Sequence, residues 1–141
     1  MDLGTVIVRG GGDIASGTIQ KLYRSGFNVL VLEIEKPTAI RRNVAFSDAI
    51  YNEEAMVEGI KAIHVYNLND INNAFKNKYI PIVVDAKGDF INKIKPFAVV
   101  DAILAKKNLG TNKNMAPITI ALGPGFEAGV DVDVVIETMR G

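Results

Sequence analysis

The chain opens with a β-branched apolar run, Thr5-Val6-Ile7-Val8, bounded by glycine, which is the pattern of a strand buried on both faces of a parallel sheet. Gly10-Gly11-Gly12 breaks that run. From Asp13 the spacing turns helical. Ile14, Thr18 and Leu22, with Ile19 and Tyr23, fall on one side, Asp13 is the expected N-cap, and Ser25-Gly26 stops the helix. Residues 27–34 form a second β-rich run, so the opening predicts strand, tight glycine turn, helix and strand, a βαβ unit. Residues 37–48 predict a turn with a short helix, and 56–66 a hairpin around Gly59. Residues 68–79 carry apolar positions at 68, 71, 74 and 75 after Asn67, the signature of a capped amphipathic helix. A strand over 80–84 ends in Asp85, and 97–103, 118–122 and 130–139 are three more strand candidates. Alternating strands and helices predict an α/β protein with a Rossmann-like layered fold and a mainly parallel sheet. No internal repeat or linker interrupts the chain, so residues 1–141 are expected to form one domain, with 108–114 as its most loop-like stretch.

Composition narrows the chemistry. With no cysteine, the chain has no disulfide, thiolate metal site or thiol nucleophile, and His64 as its only imidazole excludes a multi-histidine zinc site. Its three serines, Ser16, Ser25 and Ser47, never fall in a G-x-S-x-G elbow. Sixteen acidic side chains balance sixteen basic ones and no basic stripe is visible, which argues against nucleic acid as a partner. No apolar run approaches the ~20 residues of a membrane span, and Met1-Asp2 lacks the basic start of a signal peptide, so a cytoplasmic protein without a membrane partner is expected.

Gly10-Gly11-Gly12-Asp13-Ile14-Ala15 matches G-x-G-x-x-A directly after a predicted strand and at the opening of a predicted helix. The first glycine permits the tight turn, and the second allows close backbone approach to a pyrophosphate. The small Ala15 lets helix and strand pack, so the helix N-terminus faces the anion. Glu33 and Glu35 end the second strand, and Glu35 lies about 20 residues past Ala15, where a ribose-binding carboxylate belongs. Arg41 and Arg42 follow as candidate phosphate ligands, with exposed helix charges as the alternative. The same turn would also serve as a tight β-to-α connection with no ligand. A P-loop outline, Gly12-x-x-x-x-Gly17-Thr18, lacks the lysine that such a loop places on the phosphates.

Ligands of open α/β sheets bind outside the carboxyl ends of the strands. Asp85, Asp101, Lys106, Asn108 and the Gly123-Pro124-Gly125 turn all fall at such ends and form a second candidate site, for a substrate or an anionic group. A turn of this composition is also common without any ligand. His64, within Ile63-His64-Val65, reads as a structural histidine rather than a catalyst.

The blocks Val6-Ile7-Val8-Arg9-Gly10-Gly11-Gly12-Asp13-Ile14-Ala15, Ala39-Ile40-Arg41-Arg42, Val44-Ala45-Phe46, Val100-Asp101-Ala102, Leu122-Gly123-Pro124-Gly125-Phe126 and Ala128-Gly129-Val130-Asp131-Val132 resemble accessory proteins of selenium-dependent molybdenum hydroxylases. That family is similar to the XdhC/CoxI maturation proteins, which resemble Rossmann-type domains and help prepare or insert the molybdenum cofactor. The family is usually longer, so the resemblance implies a shortened, N-terminal portion. This chain departs from it after Asp85, where Ala86-Lys87-Gly88 stands in place of a proline. The implied partners are the hydroxylase or other cofactor-maturation proteins, with a homo-oligomer left open. The implied ligand is a molybdopterin dinucleotide, whose pyrophosphate suits the glycine turn as well as that of NAD(P) does. An NAD(P)-dependent oxidoreductase and a ligand-free assembly chaperone are the alternatives.

Overall fold

The computed structural model describes residues 3–39 and 41–137, without the side chain of Arg42. Its elements run β1 (Thr5–Arg9), α1 (Asp13–Arg24), β2 (Asn28–Glu33), two 3-10 turns (Arg42–Val44 and Phe46–Asp48), α2 (Ala49–Asn52), β3 (Glu54–Val57), β4 (Ile60–His64), α3 (Leu68–Lys76), β5 (Ile80–Val84), α4 (Asp89–Ile94), β6 (Ala98–Asp101), a 3-10 turn (Lys113–Met115), β7 (Ile118–Leu122) and β8 (Val134–Ile136). The strands form one sheet in the order β3-β4-β5-β2-β1-β6-β7-β8. Every neighbouring pair is parallel except β3 and β4, the predicted hairpin, which is antiparallel. The expected Rossmann-like α/β fold beginning with a βαβ unit is what the chain adopts.

Strand alternation divides the core in two. Val6, Val8, Val29 and Val31 point to one face, where Ala15 and Ile19 of α1 and Phe46 and Ala49 cover them. Ile7, Leu30, Leu32 and Val99 point to the other, under Ile71 and Ala74 of α3 and Ile91 of α4. Both faces being covered explains why the central strands read as unbroken apolar runs.

From β1 the chain moves to β2 on one side and later reaches β6 on the other, so the sheet changes winding direction at β1/β6. That is the switch point at which such sheets take ligands. Three expectations are corrected in detail. Gly12, not Asp13, is the N-cap of α1. Ile14 lies 46% exposed, so the buried stripe of α1 is Ala15, Ser16 and Ile19. The last predicted strand shrinks to Val134–Ile136, and its positions 138 and 139 lie outside the described residues. Among the described residues no helix is long and apolar enough to cross a membrane.

Candidate functional site

The three glycines of the turn have three different surroundings. Gly10 sits at φ +100°, and a Cβ there would stand 2.8 Å from the Ala102 carbonyl oxygen at the end of β6. Its amide donates to the Leu32 carbonyl at 2.8 Å, so this glycine lets β1 turn while wedged between its two neighbours. Gly11 is walled in by Val31, Ile82 and the Ser47 backbone. Its amide donates to Glu33 Oε2 at 2.8 Å and its carbonyl accepts from the Ser47 amide at 2.8 Å. Gly12 is different: its φ is −67° and nothing lies within 4 Å of the place a Cβ would take. Neither conformation nor packing requires a glycine there. What its bareness does is keep the start of α1 open.

The first amide of α1 to find a helical partner is that of Ser16, which donates to the Gly12 carbonyl at 2.9 Å. No side chain caps the helix, and the amides of Gly12, Asp13, Ile14 and Ala15 have no acceptor among the described residues. Four donors at the positive end of a twelve-residue helix are an arrangement that suits an anion. Ser16 fixes this arrangement from beneath. Its buried hydroxyl donates to the Gly12 carbonyl at 2.7 Å and accepts from the Phe46 amide at 2.9 Å, tying the turn to the 45–47 segment.

The carboxylate that meets the turn is Glu33. Oε2 takes the Gly11 amide and Oε1 the Ile34 amide, each at 2.8 Å. Burial pushes its carboxyl above the usual range, and the two amide bonds offset part of that rise. Glu35 lies two residues further on, exposed, and lines a separate cavity. Arg41 is exposed in the bend before the first 3-10 turn, and the side chain of Arg42 lies outside the described residues.

The second set of candidates divides. The Asp85 carboxylate accepts from the amides of Asp89 and Phe90 at 2.9 and 2.8 Å, capping the start of α4. Asp101 accepts from the Ile103 amide at 3.1 Å and from the Thr111 hydroxyl at 2.5 Å. Thr111 in turn accepts from Arg9 Nη1 at 2.8 Å, while Arg9 Nη2 donates to the Ala86 carbonyl at 2.9 Å. Arg9 is only 2% exposed, so this buried chain pins the loops after β5 and β6 to the end of β1. Asn108 closes its own loop, accepting from the amides of Gly110 and Thr111 and donating to the Thr111 carbonyl.

Lys106 and Lys107 are exposed and carry no ion pair among the described residues. Gly125, at φ +95°, comes so close to them that a Cβ would stand 2.8 Å from Lys107 Cα. The Gly123 amide donates to the Ile136 carbonyl at 2.9 Å. The 102–107 strip therefore runs between two glycine contacts, Gly10 on one side and Gly125 on the other. Sequence reasoning missed Glu33 as the contact to the turn, and also Ser16, Thr111 and Arg9. The available signal for Arg9 was a lone cation directly following a fully apolar strand run.

No family model and no solved structure matches this chain. It is 51% identical over 136 residues to a protein of Escherichia coli strain K12 described as "Uncharacterized protein YqeB", a match that covers 96% of this chain and 25% of that protein. The chain is thus homologous to a part of a longer relative and spans about a quarter of that relative's length.

Proposed function

We propose that this chain serves the maturation of a selenium-dependent molybdenum hydroxylase by holding a nucleotide-containing ligand, of the molybdopterin dinucleotide type, at its glycine turn. The observation that carries the reading is the bare start of α1, where four amides lack acceptors among the described residues and Gly12 leaves open space in front of them. A pyrophosphate supplies the acceptors these donors lack, and it does so at the switch point of the sheet. The exposed Lys106 and Lys107, held in place by Gly125, offer charge to a second anionic group of the ligand. The blocks shared with the accessory-protein family support the assignment to hydroxylase maturation.

Calorimetry with molybdopterin dinucleotide tests the ligand. A saturable one-to-one heat that weakens as salt rises is expected, and no heat at millimolar concentrations refutes it. Co-purification with the hydroxylase from cells expressing both tests the maturation role, and absence of any association under conditions where the ligand binds refutes that part.

A further inference from the structure

Two polar groups lie outside the glycine turn and take no part in it. Glu35 and His64 share the wall of a cavity of about 340 Å³ at the carboxyl ends of β2, β5 and β4, a volume within the range of small-molecule sites. Ile50, Val84 and Phe90 supply its apolar surface and Tyr66 an aromatic edge.

The imidazole is held in one orientation. The Tyr66 hydroxyl donates to the Glu53 carboxylate, 3.0 and 3.1 Å from its two oxygens, and lies 3.2 Å from His64 Nδ1. The bond to Glu53 keeps the phenol protonated, raising its pKa. With that proton spent on Glu53, the phenol oxygen is an acceptor for Nδ1–H, and Glu53 Oε2 lies 3.8 Å from the same nitrogen; in the neutral ring this tautomer makes Nε2 the acceptor. The Tyr66 ring stacks on the imidazole, with centroids 4.3 Å apart. The His64 side chain is only 8% exposed, yet Nε2 has no partner, and it is the one such buried side-chain atom among the described residues. A buried acceptor without a donor needs an explanation, and here its ring forms part of a cavity wall.

We propose that this cavity binds a planar heteroaromatic group bearing N–H donors, a nucleobase or a pterin, with the donors directed to His64 Nε2 and the Glu35 carboxylate. The inference rests on the reading of the glycine turn as a nucleotide site and places the ring of that ligand one strand beyond β2, over β5 and β4.

A single histidine makes the test direct. The full chain labelled with ¹⁵N-histidine is titrated with cytidine 5′-monophosphate, guanosine 5′-monophosphate, ribose 5-phosphate and free pterin. The nucleotides share their phosphate and sugar with ribose 5-phosphate, so only the base differs. The Nε2 resonance should move with a nucleotide or with pterin and stay fixed with ribose 5-phosphate, and the preferred nucleotide should bind at least tenfold more tightly than ribose 5-phosphate. Val84→Trp, which fills the cavity from an exposed position, should abolish that tenfold advantage and leave ribose 5-phosphate binding intact. Equal binding of all three phosphates, or a fixed Nε2 resonance in every titration, overturns the proposal alone. Failure of all four compounds to bind overturns the glycine-turn reading as well.

Discussion

Replacing Gly12 by aspartate separates what this position does for the fold from what it does for a ligand. The backbone accepts the change, because φ is −67° and no atom lies within 4 Å of the new Cβ. Gly12 is the N-cap, and aspartate is a better cap than glycine by a few tenths of a kcal/mol. A carboxylate at the positive end of α1 contributes roughly 0.3–1 kcal/mol more, and the loss of glycine freedom in the unfolded chain another 0.4–1 kcal/mol. Against this stands repulsion from Asp13 in the first turn. The net expectation is a gain of about 0.5–1.5 kcal/mol, which for a chain of 141 residues raises the melting temperature by about 2–5 °C. Binding should move the opposite way. The new carboxylate folds onto the amides of Ile14 and Ala15, two of the four donors left for an anion. Charge-assisted hydrogen bonds contribute about 1.5–3 kcal/mol each, so losing two weakens a bound pyrophosphate by about 100-fold or more. Thermal melts and calorimetry with the dinucleotide, both at 0.15 M salt, read the two effects. Gly12→Ala controls for shape without charge. A melting temperature that rises while affinity stays within threefold of the parent refutes the anion cradle, and a fall in stability refutes the cap geometry.

Three further outcomes follow from the same geometry. Gly10→Ala should lower stability by about 2–4 kcal/mol in urea unfolding, combining positive-φ strain with overpacking against Ala102, whereas Gly129→Ala, at φ +84° with open space around it, should cost only the strain of about 1–2 kcal/mol; equal costs would refute the wedge. Thr111→Val removes the hydroxyl between Arg9 and Asp101 and should cost about 2–4 kcal/mol, because two buried charged groups each lose a partner, while Thr111→Ser should stay within about 1 kcal/mol of the parent. Matching losses in the valine and serine variants would show that the hydroxyl carries nothing. For Glu33, the folded pKa is raised above 4.5, so the folded chain holds the proton over a pH interval in which the unfolded chain has released it. Stability from this group therefore falls as pH climbs from about 4.5 through the raised folded value. Glu33→Gln keeps a carbonyl acceptor for the Gly11 amide and removes that slope, so the stability of this variant relative to the parent should grow with pH across the interval; parallel curves would refute the burial argument.

The legible parts of the fold were those whose signal repeats over several turns or whole strands. β1, β2 and β5 read as apolar runs because they are covered on both faces, and α3 because Asn67 caps it, accepting from the Asp70 amide at 2.9 Å. α4 gave no signal. It has only six residues and lies between Gly88 and Lys95, both at positive φ, so it is defined by its ends and by the Asp85 carboxylate rather than by periodicity. The last strand is shorter than its pattern suggests, because Val130 and Val132 continue an apolar alternation where the backbone does not stay extended. The chain instead turns there, with the Gly129 amide donating to the Val132 carbonyl at 2.7 Å. The second candidate site mixed two kinds of residue that sequence position alone does not separate. Asp85, Asp101 and Asn108 spend their polar atoms on neighbouring backbone and on Thr111, whereas Lys106 remains exposed.

The acidic pair at the end of β2 shows why spacing from the glycine motif gives an approximate answer and strand ends a definite one. Glu33 and Glu35 differ by two residues, the period of a strand, so alternation does not distinguish them. What separates them is where pairing stops. β2 ends at Glu33, whose neighbour Leu32 accepts the Gly10 amide, and this puts the Glu33 side chain within 2.8 Å of the Gly11 amide. Glu35 lies beyond the strand end, where the backbone bends at residues 35–36, and its surroundings are those of the His64 cavity. The two acids therefore serve different neighbourhoods. Glu33 already fills the Gly11 amide, while the amides of Gly12, Asp13, Ile14 and Ala15 have no acceptor among the described residues, so under the proposed reading a ligand seated there would face a carboxylate at the β2 side and would have to present hydrogen-bond donors to it, not a second phosphate. A ribose with free hydroxyls meets that condition, and a ribose carrying a 2′-phosphate does not.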